Sequence, residues 1–146
     1  MDKTAISLAN ELINARTDYV GDGMDGYVVL TLIDDQGFPT SSTITLSKAQ
    51  GTNWLSFLST TDTNKALRIA NNNKASVCLA SNNYNINLVG TVEIITEPIQ
   101  KRPYWQDIFT EHYGSYDDPK TCVIKFTTQR YSVYFATEEA FEEGKL

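Results

Sequence analysis

The residues best placed to do chemistry in this sequence lie together between Trp54 and Leu67. Ser59-Thr60-Thr61 closes an apolar, strand-like run, and Thr63, Asn64 and Lys65 follow in what reads as the first turn of a helix. A helix N-terminus presents N–H groups without intrahelical acceptors and a partial positive charge, both of which suit an anion. Hydroxyls from Ser59 and Thr63 add donors, and Lys65 adds a point charge of the kind that holds phosphate. Such a site needs no glycine-rich loop. The same residues also fit ordinary helix capping beside a solvated lysine. An ionised Asp62 would repel a phosphate unless its side chain turned back to cap the helix. On local chemistry alone, capping is the simpler account.

Other chemistries find less support. His112 is the only histidine, and no serine or cysteine elbow accompanies it, which argues against a hydrolase. Cys78 and Cys122 are far apart with no CxxC motif, so neither a disulfide framework nor a zinc site is expected. Both read as small buried hydrophobes in strands. Twelve basic against eighteen acidic residues give a net charge of −6 and a pI near 4.7. That balance disfavours bulk nucleic-acid or anionic-membrane binding while leaving room for one local phosphate site. With 146 residues, 41% apolar and 21% charged, the chain has the size and composition of one globular domain spanning 1–146. No apolar run reaches the roughly 18–20 residues of a membrane span, and the N-terminus lacks a signal-peptide core, so a cytoplasmic location is expected.

The elements that must position these residues can be read from periodicity. Ala5, Leu8, Ala9 and Leu12 recur at helical spacing over residues 4–16, and the glycine-bearing stretch 18–26 reads as a loop. Strands follow at 27–33, 40–47 and 54–59, the first two joined by the turn Asp34-Asp-Gln-Gly37. A helix from 61 or 62 to 73 has Asp62 as its expected N-cap. Strands at 75–81 and 86–95 come next, with a bend or bulge expected at Gly90. Pro98 opens a helix expected to reach His112, and an aromatic loop leads to strands at 122–128 and 131–136 and a charged helical tail. Six or seven short strands with interspersed helices make an α+β, mainly β chain. A sheet this long in so small a domain closes most economically into an antiparallel barrel.

The order of these elements and their residues resembles the flavin-binding split β-barrel proteins related to pyridoxamine 5'-phosphate oxidase, in their general-stress-protein-like branch. The marks are Thr31-Leu-Ile-Asp-Asp-Gln-Gly-Phe-Pro39 leading into Ser41-Ser-Thr-Ile-Thr45, then Phe57-Leu-Ser-Thr-Thr-Asp-Thr-Asn-Lys65 and Ala75-Ser-Val-Cys-Leu79. Asn87-Leu-Val-Gly-Thr-Val-Glu93 and Asp117-Asp-Pro119 complete the pattern, so the resemblance runs from the first helix to Tyr134.

The resemblance implies a homodimer of antiparallel split barrels with peripheral helices, holding FMN in clefts between the subunits. Ser59, Thr63, Asn64 and Lys65 inherit the grip on the flavin phosphate. Ser42, Thr43, Ile44 and Thr45 lie along the isoalloxazine, and Asn85 falls where the family often has a glutamine near the flavin. Two departures stand out: Asn64 and Ser42 occupy positions where the family commonly has arginine. Each charged hydrogen bond left unreplaced weakens phosphate binding by roughly 1.5–3 kcal/mol. The C-terminal substrate signature of the true oxidase is absent, so oxidation of pyridoxamine phosphate is not expected. Trp105, Tyr104, Tyr113 and Tyr116 are candidates to stack on a flavin or line its pocket, with core packing the simpler role for each, and His112 is a candidate proton donor. The expected function is an FMN-dependent oxidoreductase of a small molecule, with NAD(P)H a possible electron donor, no metal site, and no assigned catalytic side chain. The alternatives are a flavin or haem-like ligand carrier or sensor on the same barrel, and a dimer that has lost its ligand.

Overall fold

The computed structural model describes residues 3–18 and 26–146. The loop expected at 18–26 therefore falls almost wholly outside the described residues.

Helix α1 (Ala5–Ala15) precedes strands β1 (Tyr27–Ile33), β2 (Pro39–Gln50) and β3 (Trp54–Thr60), then helix α2 (Asn64–Asn71) and strands β4 (Lys74–Ala80) and β5 (Tyr84–Ile95). The short helices α3 (Pro98–Lys101) and α4 (Thr110–Tyr113) bracket two 3-10 turns, and strands β6 (Thr121–Phe135) and β7 (Ala140–Lys145) end the chain. All pairings are antiparallel, in the order β3-β2-β1-β4-β5-β6, and β3 pairs again with β6 to close a six-stranded barrel. The fold is the mainly β split barrel expected, with β7 as an added strand.

Alternation builds the core. Val28, Leu30 and Leu32 of β1 point inward with Ile44 and Leu46 of β2, Val77 and Leu79 of β4, Ile86 and Leu88 of β5, and Ile124 and Phe126 of β6. Each fully buried side chain of this size contributes about 1.5–3 kcal/mol. Helix α1 adds Ala5, Ala9 and Ile13 to the same core. It is tied to the β2–β3 turn by Asn14 Oδ1, which accepts from the Gly51 N–H at 2.7 Å, and Asn10 Oδ1, which accepts from the Thr52 N–H at 2.7 Å. The β1–β2 turn forms as its sequence suggests. Asp34 Oδ1 accepts from the Gln36 and Phe38 N–H groups, and Gly37 takes φ 85°, where a side chain would be strained.

Four expectations are corrected. Asp62 does not cap α2: Thr63 does, its Oγ1 accepting from the Ala66 N–H, while Asp62 accepts from the Thr60 hydroxyl. The helix expected over 98–112 is broken into four short pieces. Pro103 lacks the donor a continuous helix needs there, and Trp105 and Phe109 turn instead into a second small core with Leu58 and Val123. The two strands expected at 122–128 and 131–136 are one, β6, because its ladder with β5 steps past Gln129 at a bulge. The expected helical tail is strand β7. One edge of β6 is covered by β3 only as far as Thr127, and β7 pairs with the remainder, from Arg130 to Phe135.

Candidate functional site

β3 and β6 are neighbours along Ser59↔Cys122 and Thr60↔Thr121, and the Thr61 N–H donates to the Lys120 carbonyl at 2.9 Å. This ladder holds the end of β3 rigid up to the turn into α2. Across the turn, the hydroxyls of Ser59 and Thr63 come within 3.3 Å. Thr63 Oγ1 also donates to the Thr60 carbonyl at 3.0 Å and accepts from the Ala66 N–H at 3.2 Å. The N–H groups of Asn64 and Lys65 follow in the first turn, where a helix offers no acceptor of its own.

Ser59, Thr63 and Lys65 form one wall of a cavity of about 570 Å³. Tyr27 of β1 with Thr43, Ile44 and Thr45 of β2 makes a second wall. The third is apolar and aromatic: Leu58, Ile108, Phe109, His112 and Tyr113. Gln106 fixes that third wall by donating through Nε2 to the Ser47 carbonyl, and to the Thr17 carbonyl at 3.2 Å. Ser47, the extra residue of the β2 bulge, donates from Oγ to the Tyr104 carbonyl at 2.6 Å. His112 and Tyr113 meet edge to face, with ring centroids 4.6 Å apart. Burial pushes the Tyr113 phenol above its ordinary value, and the neighbouring Tyr27 phenol adds to that shift.

Among the described residues, no carboxylate lines this cavity, although acidic residues outnumber basic ones in the chain. Its donors are hydroxyls, helix N–H groups, the Lys65 ammonium and the His112 ring. The exposed Asp62 carboxyl is not among the lining residues, and its hydrogen bond from Thr60 holds it below the usual carboxylate value.

Of the residues singled out from sequence, Thr43, Ile44, Thr45, Ser59, Thr63 and Lys65 converge on the cavity, joined by His112 and Tyr113. Asn64 points elsewhere, into a groove with Asp34, Asp35 and Arg68. Ser42 is exposed outside the cavity, opposite Leu30. Asn85 is exposed on β5, where it accepts from the Asn87 side-chain amide. Trp105 is buried in the second core, Tyr104 packs edge-on to Trp54, and Tyr116 lies beneath Arg102. Tyr27, Leu58, Ile108 and Phe109 are the wall residues that sequence reasoning passed over. Only the β1 and β3 patterns carried any signal for them.

Beside the cavity, one row of the barrel's outer face is uncharged over five strands. Thr43, Val29, Cys78, Asn87 and Ser132 are successive cross-strand neighbours, and Ser41, Thr31, Ser76 and Val89 form the next row, which ends in Arg130 of β6. Arg16 borders the face beside Thr43 and Cys78. Ala80, Asn85, Tyr134 and Phe141 form another, with Tyr134 and Phe141 exposed. Cys122 is fully buried and Cys78 half-buried on this face; both are free thiols. Among the described residues, no helix is long and apolar enough to cross a membrane.

Residues 18–143 match the family described as pyridoxamine 5'-phosphate oxidase like, and the chain belongs to that family. The fold is similar to a protein from Clostridium acetobutylicum related to general stress protein 26, with TM-score 0.71 and 23% identity over 83% of this chain and 86% of that one. A pyridoxamine 5'-phosphate oxidase-related, FMN binding protein from Nostoc punctiforme gives TM-score 0.67 at 14% identity, covering 100% of this chain and 99% of that one. A heme binding protein from Mycobacterium smegmatis gives 0.73 at 14% identity, covering 99% of this chain but 59% of the other. At these identities the likeness shows a shared fold. No curated protein matches the chain.

Proposed function

We propose that the protein binds FMN in this cavity as a homodimer and acts as an oxidoreductase on a small molecule in the cytoplasm. The observation that carries the reading is one cavity with a hydroxyl, helix-terminus and lysine cradle on one wall and aromatic rings on another. That donor set fits a ligand with a phosphate at one end and a planar heterocycle at the other. Ser59, Thr63 and Lys65 would hold the phosphate, while Thr43, Ile44 and Thr45 would lie along the ring. The flavin, when bound, supplies hydride or electron transfer. The chain's own part is to orient the ring, exclude water with Leu58, Ile108 and Phe109, and hold a proton at the His112 ring or the Tyr113 hydroxyl. The uncharged row from Thr43 to Ser132, continuous with the cavity through Tyr27 and Thr43, supports a second copy as its cover, and in that arrangement Asn85 and Asn87 would approach the partner's cavity.

Titration with FMN, followed by protein fluorescence and Tm, tests the reading. Saturable binding is expected, lost by at least tenfold in Lys65→Ala combined with Thr63→Ala. An unchanged Tm at saturating FMN would sink it. Flavin-dependent NAD(P)H consumption with an added acceptor distinguishes an enzyme from a carrier.

The imidazole of His112 on the cavity wall favours a second reading, a haem-like ligand held by that ring. Haemin titration separates the two, since His112→Ala would abolish a haem Soret shift and leave FMN affinity within a few-fold.

A further inference from the structure

Among the described residues, Lys101 is the one charged side chain wholly removed from solvent. Its Nζ donates to the Asp118 carbonyl at 3.0 Å, the Thr121 carbonyl at 3.0 Å and Thr121 Oγ1 at 2.9 Å. Three such bonds use all three hydrogens of an ammonium. Thr121 Oγ1 in turn donates to the Asp118 carbonyl at 2.8 Å. The hydrogen bonding is complete, yet every acceptor is neutral. The acids close by are exposed and occupied, Asp62 by the Thr60 hydroxyl and Asp118 by the Lys120 N–H. A buried ammonium that no carboxylate touches is costly, and it persists where something else requires it.

Its position indicates what that is. Thr121, which accepts twice from Lys101, pairs with Thr60, and the next residue, Cys122, pairs with Ser59. The ammonium therefore sits behind β6, whose separation from the cradle strand is one ladder spacing, about 4.8 Å. Lys101 and Asp62 both act electrostatically on the Cys122 thiol, consistent with that placement.

We propose that Lys101 is a positioning residue of the anion cradle, fixing the start of β6 and lending, through Thr121, a buried positive charge whose counter-ion is the ligand's phosphate. The inference rests on the FMN reading above and goes beyond it, because Lys101 touches no ligand.

The test compares FMN with riboflavin, which lacks the phosphate, on the wild type and Lys101→Met at low and moderate salt. The expected result is an FMN affinity lower by roughly tenfold, with riboflavin affinity within twofold and a shallower salt dependence for FMN. Equal losses for both ligands would reduce Lys101 to a structural post, and an unchanged FMN preference would remove it from the site. Should the wild type bind no FMN, the flavin reading fails. Inorganic phosphate then decides about Lys101 through its side-chain ammonium resonance in isotope-labelled wild-type protein. A phosphate-dependent shift supports the proposal and an unmoved resonance overturns it. The same measurement decides if Lys101→Met does not fold.

Discussion

The side-chain oxygens of Ser59 and Thr63 stand 3.3 Å apart, although one belongs to the end of a strand and the other opens a helix. The three residues between them, Thr60, Thr61 and Asp62, reverse the chain's direction. The reversal is held by the Thr63 hydroxyl, which donates to the Thr60 carbonyl and accepts from the Ala66 N–H. The two hydroxyls therefore differ in how free they are. Thr63 is committed to capping, whereas Ser59 has, among the described residues, only Thr63 as a side-chain partner and can turn its hydrogen toward an anion.

That difference predicts a split between stability and affinity. Thr63→Ala is expected to lower stability by about 1 kcal/mol, the usual value of a lost N-cap, and to weaken FMN as well. Ser59→Ala should weaken FMN with little change in Tm, and Thr63→Ser should restore both properties. Chemical denaturation and flavin titration on the three variants check this. Equal stability losses at Ser59 and Thr63 would contradict the assignment of the cap.

The cap also shows how far the sequence could be read. Asp62 and Thr63 are adjacent and both are good N-caps, so the sequence locates the helix start but not the residue that serves. The choice is made by Thr60, whose hydroxyl occupies Asp62 at 2.7 Å. Strands β1 and β2 and the Asp34 turn were legible because alternation and turn chemistry are local. Strand β7 was not, because its cause is the uncovered edge of β6 and not its own glutamate-rich sequence. In the cavity, the wall of Ser59, Thr63 and Lys65 is a contiguous segment and could be found. Tyr27, Ile108 and Phe109, from the other two walls, are brought together only by barrel closure and the second core.

If the uncharged row from Thr43 to Ser132 meets a second copy, a carboxylate placed in its middle should separate the copies. Asn87 is exposed between Cys78 and Ser132, so replacing it costs an isolated subunit little. Asn87→Glu is expected to sediment as a monomer where the wild type is a dimer, because an unpaired buried carboxylate disfavours the contact. Its circular dichroism should be unchanged and its FMN retention reduced. A variant that remains dimeric would move the interface to another face.

Cys122 provides a pH-dependent prediction. Burial pushes its thiol from 9.0 up to about 11. Between those values the unfolded chain releases a proton that the folded chain keeps. Stability is therefore unaffected below pH 9.0 and falls as pH rises toward about 11. Cys122→Ala should lose less stability across that window than the wild type does. At pH 8 a thiol reagent should label the half-buried Cys78 first, with Cys122 reacting only on unfolding. Equal native-state labelling of both thiols, read by mass spectrometry, would refute the burial argument.

Gly90 is the position where backbone approach, and not conformational freedom, demands glycine. It lies inside the barrel wall between Ala75 of β4 and Thr128 of β6, at the bulge that skips Gln129. A Cβ there would be driven into the Thr127 carbonyl, with its carbon 2.9 Å away and Thr128 Cα at 3.1 Å. Both are backbone atoms, so β6 itself would have to move, and β6 carries Ile124 and Phe126 into the core and Cys122 against Ser59. Gly90→Ala is thus expected to cost on the order of 3 kcal/mol, lowering Tm by roughly 10 °C in a domain of this size. Gly37 is the control. It needs its positive φ of 85° but has open space where a Cβ would go, so Gly37→Ala should cost only about 1 kcal/mol, from backbone strain alone. Equal Tm shifts in the two variants would mean that β6 yields at the bulge, and the close approach would then not be what fixes glycine at position 90.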